Sequence, residues 1–206
     1  MKRSIVLTGV LVVMFLAMVV APVAANDIID NISAHEVGYR ETPLTINSNG
    51  TADFKGTISQ DDTSITYTET YQNLSSTVTQ SHIHFGRPAI TGGIVLFLCT
   101  NLAPPAGVPT PQRCPAAPAT ITGTLTAADV IALPDQGIDN GAAGFAEMIR
   151  AIRAHAAYAN VHTVNHPGGE VRGVQLRVGR RHGGDAFFAV VGISVIMNAA
   201  AFKHNS

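Results

Sequence analysis

Residues 158–173 read Tyr-Ala-Asn-Val-His-Thr-Val-Asn-His-Pro-Gly-Gly-Glu-Val-Arg-Gly, and this stretch indicates the fold class of the chain. Residues 158–164 alternate with the two-residue period of a strand. The His-Pro-Gly-Gly segment at 166–169 favours a turn, and residues 171–178 are predicted to return as the partner strand of a hairpin. A hairpin with so short a turn indicates antiparallel sheet.

The same alternation recurs toward the N-terminus and predicts more strands of this sheet. We expect an edge strand at 35–41 and further strands at 52–58, 65–71, 78–85, 94–98 and 120–126. A short helical turn is predicted at 127–131.

One α-helix is predicted, over residues 142–157. Its apolar residues recur at helical spacing on one face, namely Phe145, Met148, Ile149, Ile152 and Ala156. The charged residues Glu147, Arg150 and Arg153 are expected to point away from the core. The predicted fold is therefore mainly β, an antiparallel β-sandwich or flattened barrel with one covering α-helix.

The first 25 residues have the pattern of a secretory signal peptide. Lys2 and Arg3 precede an apolar run over 5–20, and the small residues of 21–25 fit a cleavage site before Asn26. The alternative is an uncleaved anchor, against which the proline and small residues of 21–25 argue. We expect a secreted, periplasmic or cell-surface protein with one domain over residues 26–180.

The C-terminal tail, residues 181–206, contains an apolar run at 186–202. The run is at the short limit for crossing a bilayer. After a cleaved leader, Arg180 and Arg181 would lie outside and Lys203 inside, against the positive-inside bias. Two interpretations stay open: membrane association through the tail, or packing of the tail on its own domain or on a partner.

The two cysteines, Cys99 and Cys114, flank a proline- and alanine-rich stretch. In an exported chain such a pair favours a disulfide, and no neighbouring histidine or acidic residue supports a reactive or metal-binding thiol pair. We therefore predict a cystine-closed insertion, residues 99–114, within an irregular segment outside the core.

Histidines cluster in two motifs. Residues 81–86 read Ser-His-Ile-His-Phe-Gly, and on a strand His82 and His84 point to the same side of the sheet. By the same rule Asn160 and His162 share one face of their strand. Glu170 and Arg172 likewise share a face of the returning strand.

Together the two motifs resemble those of the CHRD domain family, named for repeats first seen in chordin. The likeness extends from about residue 35 to 178 and covers the segments 81–86 and 158–173. This sequence departs from the family pattern at Val174, which separates Gly173 from Gln175, in its long 99–114 insertion, and at His166. The resemblance implies an extracellular β-rich domain, met singly in many bacterial exported proteins, and implies little about activity.

Enzymatic and nucleic-acid-binding functions have no support in this sequence. It contains no Gly-x-Ser-x-Gly elbow, no His-Glu-x-x-His motif and no phosphate-binding glycine loop. The formal net charge is −1 and the basic residues form no stripe, which disfavours nucleic acid as a partner. We expect a non-enzymatic module that is structural or binds another exported protein or a surface polymer.

The alternative function is copper or zinc binding by His82, His84 and His162, since a His-x-His pair with a distant histidine is one way to build such a site. Their nitrogens would then converge to about 3–4 Å. Residues 82–86 also resemble the copper-ligand strand of copper–zinc superoxide dismutases, without the other ligands of that family. His166, in the turn, is a candidate fourth ligand.

The structural alternative assigns these side chains to strand pairing. Here the histidines bond to carbonyl groups, to Asn160 or to each other's strands, and so fix the register. Glu170 and Arg172 either form an ion pair or each cap a neighbouring strand.

Overall fold

The computed structural model describes residues 27–103, 106–173 and 176–183. The predicted signal peptide and the apolar run at 186–202 lie outside the described residues. The one α-helix of the described ranges has 13 residues, whereas a bilayer span needs about 20, and no helix there reaches that length with the required hydropathy.

The described part of the chain contains nine strands and one α-helix. The strands are β1 Asp27–Val37, β2 Thr51–Ile58, β3 Ser64–Gln72, β4 Val78–Phe85, β5 Gly93–Thr100, β6 Ala119–Thr126, β7 Ala157–Thr163, β8 Val171–Gly173 and β9 Arg177–Gly183. Helix α1 is Gly141–Arg153, and short 3-10 turns occupy Gly38–Arg40, Ala127–Asp129 and Pro134–Gln136. β9 therefore extends three residues beyond residue 180, the predicted end of the domain.

All strand pairs are antiparallel, in the order β5-β4-β7-β8-β1-β2-β3-β6. β9 also pairs with β1, on the side opposite to β2, so β8 and β9 share one position beside β1. The two ends of the sheet, β5 and β6, approach each other. The result is an eight-position, nearly closed barrel with one helix, which confirms the predicted mainly β class in its barrel form.

The strand predicted at an edge, 35–41, is wrong in both place and extent. β1 lies in the middle of the sheet, because β2 covers one of its sides and β8 and β9 cover the other. Its inward alternation begins at least as early as Ile32 and continues through Ala34 and Glu36. The chain leaves the strand after Val37, where a 3-10 turn begins.

The returning strand of the hairpin is divided in two. Gly173 lies opposite Glu36, whereas Arg177 lies opposite Ser33, so three residues on the returning chain correspond to two on β1. The two parts of the returning chain therefore pair with β1 in registers that differ by one residue.

The proline-rich segment before β6 is irregular and mostly exposed in its described residues, as predicted, with Cys114 buried, and it bonds to the barrel. The backbone carbonyl of Gln112 accepts from Thr100 N at 2.9 Å, and its side-chain amide donates to Leu98 O at 3.2 Å and Thr122 O at 2.9 Å. These bonds link β5 to β6 across the seam. Open strand edges leave backbone groups unpaired, and this segment pairs several of them.

The predicted disulfide is confirmed. Cys99 on β5 is bonded to Cys114, and both half-cystines are buried. The bridge therefore attaches the seam-filling segment to the barrel wall.

Helix α1 packs its apolar face on the hydrophobic core. Phe145, Met148, Ile149 and Ile152 are buried as predicted. Arg153 does not point away as expected: its guanidinium bonds to Asp30 on β1 at 2.7 Å and to Asp62 in the β2–β3 turn at 2.7 and 2.8 Å.

The helix is shorter at its C-terminus than predicted. It ends at Arg153, and Ala154 caps it by donating to Arg150 O at 2.9 Å. His155 then has φ of 58°, a left-handed conformation that stops a helix. Ala156 consequently lies outside the helix, although apolar spacing assigned it to the helical face.

We predict that replacing both cysteines by alanine lowers the free energy of unfolding by about 3 kcal/mol, because the bridge closes a loop with a sequence separation of 15 residues. Urea unfolding of the purified double variant measures this. Wild-type protein unfolded in reductant should approach the variant's midpoint. A loss below about 1 kcal/mol would show that the seam is held without the bridge.

Candidate metal centre

Strands β4 and β7 place the two histidine motifs side by side. His82 lies opposite Asn160, His84 opposite Tyr158, and Gln80 opposite His162. Directly opposed residues point to the same side of a sheet, so the three histidines share one face. The alternate residues Ile83 and Val161 belong to the hydrophobic core, which places the histidines on the outer face of the barrel wall.

This outer face is covered by loops. The β4–β5 loop reaches it through Gly92, whose N–H donates to the Tyr158 hydroxyl at 3.1 Å. The turn at 164–170 and the segment that follows β1 contribute the rest of the cover. The exposed fractions are 0% for His82, 5% for His84 and 7% for His162, so solvent hardly reaches the imidazoles.

The three imidazoles form a cluster. One ring nitrogen from each of His82, His84 and His162 lies within 4.8 Å of the other two. The ring centroids of His82 and His162 are 4.8 Å apart, and those of His82 and His84 are 5.4 Å apart. The sequence motifs therefore meet as predicted, with a nitrogen spacing wider than the expected 3–4 Å.

Backbone carbonyls select the tautomers of two rings. His84 Nδ1 lies 3.0 Å from Gly92 O, and His162 Nδ1 lies 3.0 Å from Pro167 O. A carbonyl oxygen only accepts, so each Nδ1 carries the proton and each Nε2 keeps its lone pair. Both Nε2 atoms, and both ring nitrogens of His82, are buried and have no hydrogen-bond partner among the described residues.

Burial keeps the cluster neutral. It lowers the pKa of His84 to about 4, lowers that of His82 well below its ordinary value, and lowers that of His162. Repulsion by the neighbouring imidazoles acts in the same direction on His82. Neutral imidazole is the form that ligates metal ions.

Aromatic rings enclose two of the histidines. Phe97 meets His82 edge-on at a centroid distance of 4.3 Å, and Tyr158 stacks on His84 at 4.7 Å with an interplanar angle of 4°. The Arg172 guanidinium lies 3.5 Å from the centroid of Tyr158. Because β7 lies between β4 and β8, Tyr158 separates His84 from Arg172.

Arg172 and Glu170 act separately. Arg172 donates to the Thr42 hydroxyl and to Ile90 O at 2.7 Å, and so holds two covering loops. Glu170 accepts from Ser48, Ser75 and Thr163 at 2.5 to 2.8 Å. No ion pair joins Glu170 to Arg172 in the described ranges, so of the two alternatives for this pair the structure agrees with separate roles, in which each residue holds neighbouring segments.

Hydrogen bonding decides the charge of Glu170. Burial acts to raise the pKa of its carboxyl, but bonds from Ser48, Thr163 and Ser75 outweigh that effect and leave the pKa below its ordinary value.

The side-chain amide of Asn160 donates two hydrogen bonds, to Val171 O at 2.8 Å and to the Glu41 carboxylate.

The sequence patterns did not predict roles for Glu41 and Gly92 at this site. Burial raises the pKa of Glu41 to about 7, although the bond from Asn160 opposes the shift. At Gly92 an added Cβ would lie 1.9 Å from Phe85 O, so the loop that supplies the acceptor of His84 accommodates no side chain there. The Gly-Gly pair at 92–93 indicates a close approach of the backbone, whereas nothing in the sequence around Glu41 indicates that this residue is buried at the site.

His166 does not join the cluster. It lines a separate cleft of about 220 Å³, formed by the segment after β1 and by the β7–β8 turn. Among the cleft's other lining residues are Glu41, Pro43, Leu44, Ile46 and Pro167. Glu41 and Pro167 thus connect this cleft with the side chains of the histidine face.

The fold and this face define a class of protein: a one-domain, disulfide-bonded β-barrel whose outer wall buries three histidines. The sequence model of the CHRD domain matches residues 32–174, more than two thirds of the chain, and the protein belongs to the CHRD domain family. The predicted family is therefore confirmed. No curated protein and no solved structure matches this chain.

A second buried polar group lies on the opposite face of the same wall. Inside the barrel, Ser81 donates to Glu69 at 2.8 Å, and Glu36 is fully buried nearby. Burial raises the pKa of Glu69 to about 8, and it raises that of Glu36 well above its ordinary value with the help of repulsion from Glu69. At pH 7 the Glu69 carboxyl is therefore mostly protonated.

We predict that the domain loses stability as pH rises from 6.5 to 8. The folded-state pKa of Glu69, about 8, exceeds its unfolded value of 4.5, so its contribution to stability is full below pH 4.5 and is lost as pH rises through 8. Glu69→Gln should flatten the pH dependence of the urea unfolding free energy and raise it by about 1 kcal/mol or more at pH 9. Exposed Asp135→Asn is the control and should follow wild type. A Glu69→Gln profile as steep as wild type would contradict the assignment.

Proposed function

We propose that this protein is an exported, non-enzymatic CHRD module that binds a copper or zinc ion through His82, His84 and His162. The observation that carries the proposal is the set of four buried imidazole nitrogens that have no hydrogen-bond partner among the described residues. These atoms lie in one cluster, and its other two nitrogens are already bonded to carbonyls.

A purely structural role accounts poorly for this arrangement. Histidines that fix strand register would use their nitrogens in hydrogen bonds, whereas His82 uses neither. Each buried polar atom left unpaired costs about 1–3 kcal/mol. One metal ion would satisfy a nitrogen from each of the three rings at once.

The outer hydrogen bonds resemble those of metal-ligating histidines. In such sites the ring nitrogen that does not bind the metal donates to a carbonyl or carboxylate, which fixes the ring and raises its basicity. His84 and His162 have this arrangement through Gly92 O and Pro167 O. His82 has the freedom to offer either nitrogen.

Metal binding would draw the three rings together. Three nitrogens around an ion at about 2 Å lie roughly 3.5 Å apart, compared with the present limit of 4.8 Å. The required movement is about 1 Å, which side-chain rotation can supply. Imidazole donors suit zinc and copper, among other transition metals.

The compartment and the lack of enzymatic motifs fit a binding role. The Cys99–Cys114 disulfide is typical of an oxidising environment, in agreement with the proposed export. The loops above His82 leave it no exposed surface on which a substrate could react.

Binding to another exported protein or a surface polymer is a second candidate. The observation that favours it is the cleft beside the β7–β8 turn, where Leu44 is 73% exposed. Val164, at the start of that turn, is 62% exposed. Exposed apolar side chains around a cleft are typical of interaction surfaces.

We predict that the full-length protein binds one zinc or copper ion per chain with a dissociation constant of about 1 μM or tighter. His82→Ala and His162→Ala should each weaken binding about 100-fold or more, since each removes one of three ligands. Competition with a chromophoric chelator measures the affinity, and metal content after dialysis gives the stoichiometry.

The exposed His35 supplies the matched control, because His35→Ala removes an imidazole outside the cluster. This variant should bind like wild type. Circular dichroism and thermal melts in chelator establish that each variant is folded. Absent binding in wild type, or binding retained in both cluster variants, would overturn the metal proposal; a large fall in melting temperature without metal would instead favour the structural role.

A further inference from the structure

We infer that the His82–His84–His162 cluster selects copper in its monovalent form, Cu(I), over divalent zinc and copper. The inference rests on the proposed metal-binding function and names its ligand. Three features of the cluster carry it: the charge of the donors, the cation stacked beside them, and the number of donors.

The donor set provides no negative charge. Within the described residues the cluster contains three histidines and no aspartate, glutamate or cysteine. The two cysteines of the chain are committed to their disulfide. The cost of burying an ion grows with the square of its charge, so a divalent ion costs about four times as much as a monovalent one before its ligands compensate.

Arg172 increases this difference. Its guanidinium stacks on the face of Tyr158, whose ring stacks in turn on His84, and the positive charge acts on that imidazole. Repulsion between Arg172 and a bound ion is twice as strong for a divalent ion as for a monovalent one at the same position.

Glu41 is the carboxyl connected to this face, through its bond to Asn160 and its attraction to Arg172. Its carboxylate accepts from the Asn160 amide and, at 3.4 Å, from Thr42 N. It does not belong to the donor cluster. The Asn160 amide therefore stands between Glu41 and the histidine face.

The number of donors favours the same ion. Zinc in proteins is almost always four-coordinate, and where three histidines hold it a water takes the fourth position, so zinc would need a water inside this buried cluster. Phe97 covers one side of His82 and Tyr158 covers one side of His84, while His166 lies in the separate cleft. Cu(I) is stable with three ligands in a plane and needs no fourth group.

The experiment compares ions on the full-length protein. Cu(I), kept reduced with ascorbate under nitrogen, is competed against bicinchoninate, and zinc and Cu(II) are competed against chelators of known affinity. We expect Cu(I) to bind about 100-fold or more tightly than either divalent ion. His82→Ala should lose the bound Cu(I), and His35→Ala should keep it.

A charge variant tests the physical cause. Arg172→Gln removes the cation, so the affinity for zinc should increase by a larger factor than the affinity for Cu(I). Arg150→Gln, a change at an exposed arginine of α1, is the matched control and should leave the ratio unchanged. If Arg172→Gln fails to fold, the comparison of ions on the wild type still decides the question.

The outcomes separate this inference from the proposed function. Zinc or Cu(II) binding as tightly as Cu(I), and lost in His82→Ala, would overturn the selectivity and leave the metal site standing. Failure of all three ions to bind would overturn both. A Zn-to-Cu(I) affinity ratio unchanged in folded Arg172→Gln would remove the charge argument.

Discussion

The antiparallel pairing of β4 with β7 is the interaction on which the rest of the site depends. The two strands are far apart in sequence, and their register places His82 beside Asn160 and His84 beside Tyr158. A shift of one residue would turn every histidine toward the core and every core side chain outward. The register is enforced from both sides, since Ile83 and Val161 must face the core while loops cover the other face.

Desolvation acts on both faces of this wall with opposite effects on pKa. On the outer face it lowers the pKa of His84 to about 4, and inside the barrel it raises the pKa of Glu69 to about 8. At neutral pH both groups are therefore mostly uncharged. This is the less costly state for unpaired groups in a medium of low dielectric constant. A metal ion would add a full charge to neutral imidazoles that already lie near the Arg172 cation, and its charge would set much of the cost of binding.

Sequence periodicity predicted most of the sheet, and with it the shared face of His82 and His84, because a strand alternates with a period of two wherever one side is buried. It misplaced β1, because whether a strand lies at an edge or in the middle depends on distant partners. It did not predict that the irregular Gln112 segment bonds to both β5 and β6, since proline-rich composition indicates irregular backbone and not the partners of that backbone. The cover of the histidine face was beyond prediction for a related reason: Gly92 O and Pro167 O are backbone atoms of loops, and their direction is set by the whole fold.

Arg172 shows how the cover and the cluster depend on each other. Its planar guanidinium can stack on Tyr158 and at the same time donate in its own plane to Thr42 and to Ile90 O. A lysine ammonium, a point charge without a flat face, could not do both. The same side chain thus fixes the ring against which His84 stacks and the two loops that exclude water from the imidazoles. Exclusion of water keeps the imidazoles neutral and leaves their nitrogens unpaired. The contacts of Arg172 therefore position both the histidines that would bind a metal ion and the guanidinium charge that would repel a divalent one.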